Sequence, residues 1–562
     1  MAEIDRGLYA ALYGATTGDR IALADTGLWA RIEADDASYG DEILGGCGKT
    51  FREGMLATSG VAPDSQLDML IANAIVIDPV LGVRKTNIGI KDGRIVGIGR
   101  AGNPDVVDNV ELVVGVHTAL VPAEGLIATP GIVDSHVHLS SPALIQVALS
   151  AGTTTIVAMG MGGVWDVGVN PARNLFTLLA GWRQVPINVS FLARGSSLSA
   201  VPLELALETG CSGFKVHEDF GAYPAVVDTC LSVAEAHDVA VALHSDSLNE
   251  SGELADTLSA TRGRTVHAYH VEGGGGHPNL LEILGEPHIL PSSTTPTIPL
   301  GANTVGELFP MTMTVHRQSP LLAEDVRISH SRIRLAGIEA ENVLHDLGAI
   351  SIVNSDSMGM GRIGEVARRT FQLASIHAHA EHAETGVGTD DNDRILQYLA
   401  KITINPAIAH GLASEVGSLE VGKLADVVLW HPSFFGAKPD LVVKGGFVAW
   451  GVSGDGAAST RLCQPRRYRS FFGGLGDAPQ RLSTLFVAQS YLDAGSRQCL
   501  EERYRLTAVS ACRGLTRGAM IRNTVTPRVV VPADGSAVLV DGRPVHHAAA
   551  PTVPLGQLYH LA

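Results

Sequence analysis

Charge is scarce in this sequence, and lysine is scarcer still. Charged residues make up 18% of the 562, and only eight of the 41 basic residues are lysine. Against them stand 58 acidic residues, for a net charge of −17 with no basic block. That balance excludes nucleic acid or an anionic membrane surface as the main partner. Cysteine is also rare: Cys47, Cys211, Cys230, Cys463, Cys499 and Cys512 stand far apart without any CxxC spacing. A disulfide scaffold is excluded, and free thiols in a reducing compartment fit. No run of about 18 apolar residues occurs, and the opening Met-Ala-Glu-Ile-Asp-Arg lacks the apolar core of a signal peptide. The chain reads as cytoplasmic, with no membrane partner.

Apolar residues, by contrast, reach 45%, and there are 63 Gly and 21 His. The length is three to four times the commonest domain size of ~150 residues, so several domains or one large barrel with additions are expected. The apolar excess argues that other subunits cover part of the surface. Residues 68–100 run as short Val/Ile strands broken by Asp-Pro and Lys-Asp-Gly turns, and a related pattern returns at 416–450. Residues 1–130 and 412–480 are therefore expected to build one composite β-rich domain. Between them, apolar strands alternate with helical stretches near 172–183, 202–209 and 225–237. This predicts a (β/α)8 barrel over 131–411, an α/β fold of the TIM type. Residues 481–562 form a C-terminal region with a helix and a few strands.

In such a barrel the chemistry lies at the C-terminal strand ends, so polar residues closing apolar runs are the ones to collect. His136 and His138, at i and i+2, point to one side of a strand and can grip one ion together. Lys215 sits between Phe214 and Val216 in an apolar strand, with His217 again at i+2. A lone buried ammonium is costly, and its pKa falls. The neutral amine can add CO2 to become an anionic carbamate whose two oxygens each hold a metal; the plainer alternative is a lysine paired with Glu218 or Asp219. His244 closes the next run. His267 and His270 close another, and spacing alone does not choose between them. Asp356 closes the last. Each residue alone is more often an ordinary satisfied polar group. The ordered set predicts a binuclear metal centre of the amidohydrolase type, which lowers the pKa of bound water from ~15.7 towards ~7 and polarises a carbonyl. Imidazole suits nickel and zinc alike.

The chain resembles the alpha (catalytic) subunit of urease over nearly its whole length. The resemblance rests on Tyr13-Gly-Ala-Thr-Thr-Gly-Asp19, Gly89-Ile-Lys-Asp-Gly93, His136-Val-His138 and Lys215-Val-His-Glu-Asp219. It continues through Leu248–Gly252, Leu290–Thr294, Ser331–Arg334, Gly361–Val366 and Ile404–His410. The resemblance implies two nickel ions bridged by carbamylated Lys215 and hydrolysis of urea to ammonia and carbamate. It implies His244 and His270 on one nickel, and His136, His138 and Asp356 on the other. His217 would then bind the urea carbonyl, His316 would be the proton-transferring histidine of a mobile flap, and Arg332 its partner. It also implies beta and gamma subunits in an assembly built on a trimer, and accessory proteins that deliver nickel.

Three segments depart from the family pattern. The flap motif Cys-His-His is here Val315-His316-Arg317, the Gly-Gly-Gly-Thr-Gly-Pro loop is replaced by Ala158–Trp165, and Ser357-Met-Gly-Met-Gly361 follows the aspartate. With Met161, Trp165 and Met358 as larger apolar walls, a second reading arises: a urease-like amidohydrolase acting on another urea-type or amide substrate. The intact ligand set argues against a third, a non-catalytic paralogue.

Overall fold

Eight strands follow one another through the middle of the chain, each paired in parallel with the next. They are Ile132–His138 (β1), Thr153–Met159 (β2), Asn188–Arg194 (β3), Gly213–Val216 (β4), Ala240–His244 (β5), Val266–Tyr269 (β6), Ile289–Thr294 (β7) and Ile352–Asn354 (β8). In this computed structural model the described residues are all but 1–2, 38, 41, 45–55, 161–167, 170–172, 246–252, 273–276, 386–389, 464, 495–503 and 557–562. Every residue of β2 is buried, as a parallel strand covered on both faces should be. The ring closes just past β8. Val137 bridges Ser357, His138 N–H donates to the Ser357 carbonyl at 3.0 Å, and Ser355 N–H donates to the Asp134 carboxylate at 3.0 Å.

The outer helices form where the sequence places them, as Arg173–Trp182, Ala200–Glu208 and Pro224–His237 among others. The last begins on a proline, whose fixed φ suits a first turn, and ends at Asp238 in the left-handed region, φ +48°. The Asp238 carboxylate accepts from the backbone N–H groups of Ala511, Cys512 and Arg513, fastening the C-terminal region to the barrel. The same region adds strand Thr484–Val487 beside β3. It also buries Arg517 completely, its guanidinium donating to the carbonyls of Glu286, Ile289, Ala349 and Val525.

A second sheet of ten strands draws on both ends of the chain. Its early strands include the hairpin Met69–Asp78 and Gly82–Lys91, and its late ones include Val427–Trp430, Leu441–Lys444 and Phe447–Ser453. The join is antiparallel, between Ile127–Pro130 and Val427–Trp430. The two β segments thus share one sheet. Where that sheet meets the barrel, the buried Lys444 ammonium donates to Asp426 Oδ1 at 2.9 Å and to Asn188 Oδ1 at 2.7 Å at the start of β3.

Removing one partner of a buried ion pair leaves an uncompensated charge in a low dielectric. Asp426→Ala is therefore expected to lower stability by about 3–5 kcal/mol, read as a shift of the guanidinium midpoint, and adding Lys444→Met should recover most of it.

Candidate metal centre and its flap

The barrel brings the collected residues to one end. His136 and His138 lie at the end of β1, Lys215 lies in β4 with His217 just past it, and His244 closes β5; His270 follows β6 and Asp356 comes two residues after β8. All but His244 are buried, and His244 is partly so. The Asp356 Oδ1 atom lies 3.3 Å from both His136 Nε2 and His138 Nε2. The donor atoms of these three residues all fall within 4.8 Å of one another, as do those of His217, Glu218 and His244. His270 packs its ring against both groups, 5.4 Å from His136 and 4.3 Å from His244 between centroids.

Burial and backbone geometry tune this end of the barrel. Burial holds His136 far below the usual imidazole range, and the charge of Lys215 adds to it. Burial works against ionisation of Asp356, but the His138 hydrogen bond and the charges of His138, His270 and Lys215 outweigh it and keep the carboxyl low. A neutral imidazole beside an ionised carboxylate is the protonation state that metal binding needs. Both ring nitrogens of buried His136 lack a hydrogen-bond partner among the described residues, a need that a metal ion meets. His270 and Asp356 both take left-handed φ angles, +37° and +50°, an unusual conformation for residues with side chains and one that gathers at functional sites. Gly359 has its own reason: a Cβ there would overlap the Asp356 carboxylate.

The structure separates the two histidines that spacing left open. His270 lines the cavity above the site. His267 lies inside the barrel, its Nδ1 2.8 Å from His410 Nε2. Burial drives both of their pKa values down, that of His410 to about 3, so the pair is neutral and shares one proton between facing nitrogens.

The cavity holds about 340 Å³ and is lined by His138, His217, His244, His270 and Asp356 below and by Thr297, Leu308, Val315, His316, Ile333 and Met360 around and above. Its lid is a helical hairpin, Thr304–Val315 and Ala323–Arg332. His316 caps the first helix, with Nδ1 2.7 Å from the Thr312 carbonyl. A carbonyl can only accept, so a neutral His316 carries its proton on Nδ1 and presents Nε2 as an acceptor. His217 is the reverse: its Nδ1 accepts from Asp219 N–H at 3.2 Å, which puts the proton of the neutral ring on Nε2. Arg332 ends the second helix and does not line the cavity, although the next residue, Ile333, does. Met358 is 54% exposed and outside the lining, whereas Met360 and Arg317 are part of it. Met161 and Trp165 fall outside the described residues.

Two residues of the site were given no role there from the sequence: Tyr269, and Glu218, which was named only as a possible partner of Lys215. Tyr269 is the floor: its ring stacks on His136 at 3.9 Å between centroids and carries the Lys215 ammonium 3.9 Å above its centroid. Its hydroxyl donates to the Ser135 carbonyl at 2.5 Å, tying β6 to β1. Nothing distinguishes it in the sequence from any aromatic of an apolar strand. Glu218 places Oε1 3.2 Å from His244 Nε2 and Oε2 3.3 Å from His217 Nδ1. Its place directly after His217 was the available signal.

A parallel barrel with imidazoles, a lysine and a carboxylate at its strand ends defines an amidohydrolase, and residues 127–462 match the model described as "Amidohydrolase family". Residues 2–121 match "Urease alpha-subunit, N-terminal domain". Over 560 residues the chain is 50% identical to urease subunit alpha 1 of Streptomyces avermitilis, covering 98% of this chain and 99% of the relative. It is 46% identical to urease subunit alpha of Natronomonas pharaonis, covering 98% of each. A solved structure of D-hydantoinase aligns at 16% identity with a TM-score of 0.47, over 68% of this chain and 95% of that one. The chain belongs to the urease alpha-subunit family.

Tyr269→Phe keeps the ring but leaves the Ser135 carbonyl without its donor. A loss of about 1–3 kcal/mol in guanidinium unfolding is expected. Tyr269→Ala, which removes the floor, should cost about 3–5 kcal/mol.

Proposed function

We propose that this chain hydrolyses urea to ammonia and carbamate at a pair of nickel ions, as the catalytic subunit of a urease. The observation that carries the reading is the convergence of His136, His138 and Asp356 beside buried Lys215, with His244 and His270 against them. His136, His138 and Asp356 would hold one ion, and His244 and His270 the other. Lys215 would serve both after its ammonium gives up a proton and the neutral amine adds CO2: the nitrogen bonds to carbon, a second proton leaves, and the resulting N6-carboxylysine would supply anionic oxygens to the two ions. The buried cation thereby becomes an anion among groups that need one. Such a pair of ions, when bound, polarises the urea carbonyl and supplies an activated water; zinc or another divalent metal suits the same donors.

The chain's own residues do the rest. The Nε2–H of His217 donates to the urea carbonyl oxygen. His316 accepts a proton at Nε2 and passes one to the departing nitrogen, with Arg332 as its proposed partner in the closed flap. Glu218, its Oε1 3.2 Å from His244 Nε2, would take the Nε2–H of His244 and so reserve Nδ1 for the metal, as in a carboxylate–histidine–metal relay. The apolar wall of Leu308, Val315, Ile333 and Met360 excludes bulk water. We assign 1–130 with 412–480 to the composite β-rich domain, 131–411 to the barrel and 481–562 to a C-terminal region. Exposed apolar residues such as Leu321, Val201 and Phe472 support coverage by beta and gamma subunits in an assembly built on a trimer. Nickel-delivery proteins and a cytoplasmic location complete the proposal; no helix among the described residues is long and apolar enough to cross a membrane.

One observation favours a second reading. The cavity is roomier than the four heavy atoms of urea require, and its wall is apolar beside Val315 and Met360, which would suit a larger urea-type or amide substrate.

The nickel-loaded chain, assembled with its small subunits, is expected to release ammonia from urea, with kcat/KM for urea above that for N-alkylureas and simple amides. No ammonia from urea would overturn the proposal, and a preference for an N-alkylurea would move it to the second reading. Glu218→Gln is expected to weaken nickel binding or activity about 10–100-fold, followed by metal analysis and initial rates.

A further inference from the structure

The flap is joined to the barrel through a small apolar cluster of its own. Leu300, Leu308 and Ile338 are buried together, with Ile333 and Met360 packed against them, apart from the main core. A unit held by so few apolar contacts opens at a fraction of the global stability. Within the hairpin the two helices are tied to each other: Ser319 N–H donates to Asp325 at 2.8 Å, Ser329 bonds Gln318, and His330 stacks on Phe309 at 4.1 Å. The hairpin therefore moves as one piece, and its position depends on its roots.

Both roots meet one helix, Leu335–Asp346, which follows directly after the second flap helix. Ile338, Glu341 and Asn342 are fully buried on one face of it, at i, i+3 and i+4. Ile338 packs on Leu300 and Leu308. Asn342 Oδ1 accepts from Leu300 N–H at 3.0 Å. Glu341 Oε1 accepts from the Thr297 hydroxyl at 2.8 Å, and Thr297 is part of the cavity wall. Residues 297–301, the N-terminal root of the flap, are thus held on one side by the face of the helix that continues its C-terminal root, and on the other by backbone bonds of Leu300 and Ala302 to Ala550.

We propose that Glu341 is a positioning residue of the flap, pinning through Thr297 the root from which the His316-bearing helix departs. The assignment rests on the reading of His316 as the flap's proton-transferring group. Burial pushes the Glu341 carboxyl up, towards its neutral form, against the pull of the Ser293 and Thr297 hydroxyls. A glutamine reproduces that neutral shape and the accepting oxygen; an alanine does neither.

The test compares Glu341→Ala and Glu341→Gln with the parent in the full chain, assembled and metal-loaded. Amide hydrogen exchange across residues 304–334 is expected to rise about ten- to a hundredfold in Glu341→Ala. Exchange in β1 and β4, and the metal content, should stay at the parent level. The rate of urea hydrolysis should fall about tenfold, and Glu341→Gln should restore both flap protection and rate. Unchanged flap exchange in Glu341→Ala, an equal rise through the barrel strands, or a glutamine variant no better than alanine would each overturn the proposal. If the parent itself released no ammonia from urea, the functional reading would fall while the exchange comparison still decided the hinge.

Discussion

A lysine buried among imidazoles is the constraint on which the centre depends. Lys215 has no accessible surface and lies over the face of Tyr269. Its charge helps to hold His136 and His267 below the ordinary imidazole range and Asp356 in its ionised form. An ammonium so placed adds to burial in holding His136 neutral, the form in which an imidazole can bind a metal. The ring beneath it does two jobs. Tyr269 meets the ammonium with its negative face and, by stacking on His136, fixes the spacing between the lysine and the β1 histidines.

That floor rests in turn on the barrel. Tyr269 binds the backbone of β1 through Ser135, and His267, edge-on to it at 4.6 Å, is braced by His410. Asp134 fastens β1 to the stretch after β8 at the seam, accepting from both His136 N–H and Ser355 N–H. Strands that lie far apart in sequence are thus locked at the level of the converging histidines and Asp356. Above them the lid is attached by the Leu300–Leu308–Ile338 cluster, by the Glu341 and Asn342 contacts, and by backbone bonds of Leu300 and Ala302 to Ala550. A rigid base with a separately hinged cover suits a reaction that must admit a polar substrate and then exclude water.

Much of the site was legible in the sequence because parallel barrels place their strand ends on one face. The His-x-His pair, the lysine in an apolar run and the aspartate after the last strand each carry a local signal, and chain order supplied the rest. What stayed hidden depends on contacts across the fold. His267 and His270 both follow an apolar run, and only the pairing with His410, 143 residues away, shows which one belongs to the interior. Glu341 reads as one more helix carboxylate until Thr297 is seen against it. Tyr269 reads as an ordinary strand aromatic until a lysine and a histidine from other strands lie on it. The shared β sheet was anticipated from matching patterns, but its antiparallel join at 127–130 and 427–430 has no local signature.

Lys215 as the bridge between two ions is the central claim, and diffraction at the nickel absorption edge tests it most directly. Two anomalous peaks are expected, one among His136, His138 and Asp356 and one between His244 and His270, with branched, carboxylated density on Lys215 between them. A single peak, or two peaks flanking an unmodified lysine, would contradict it.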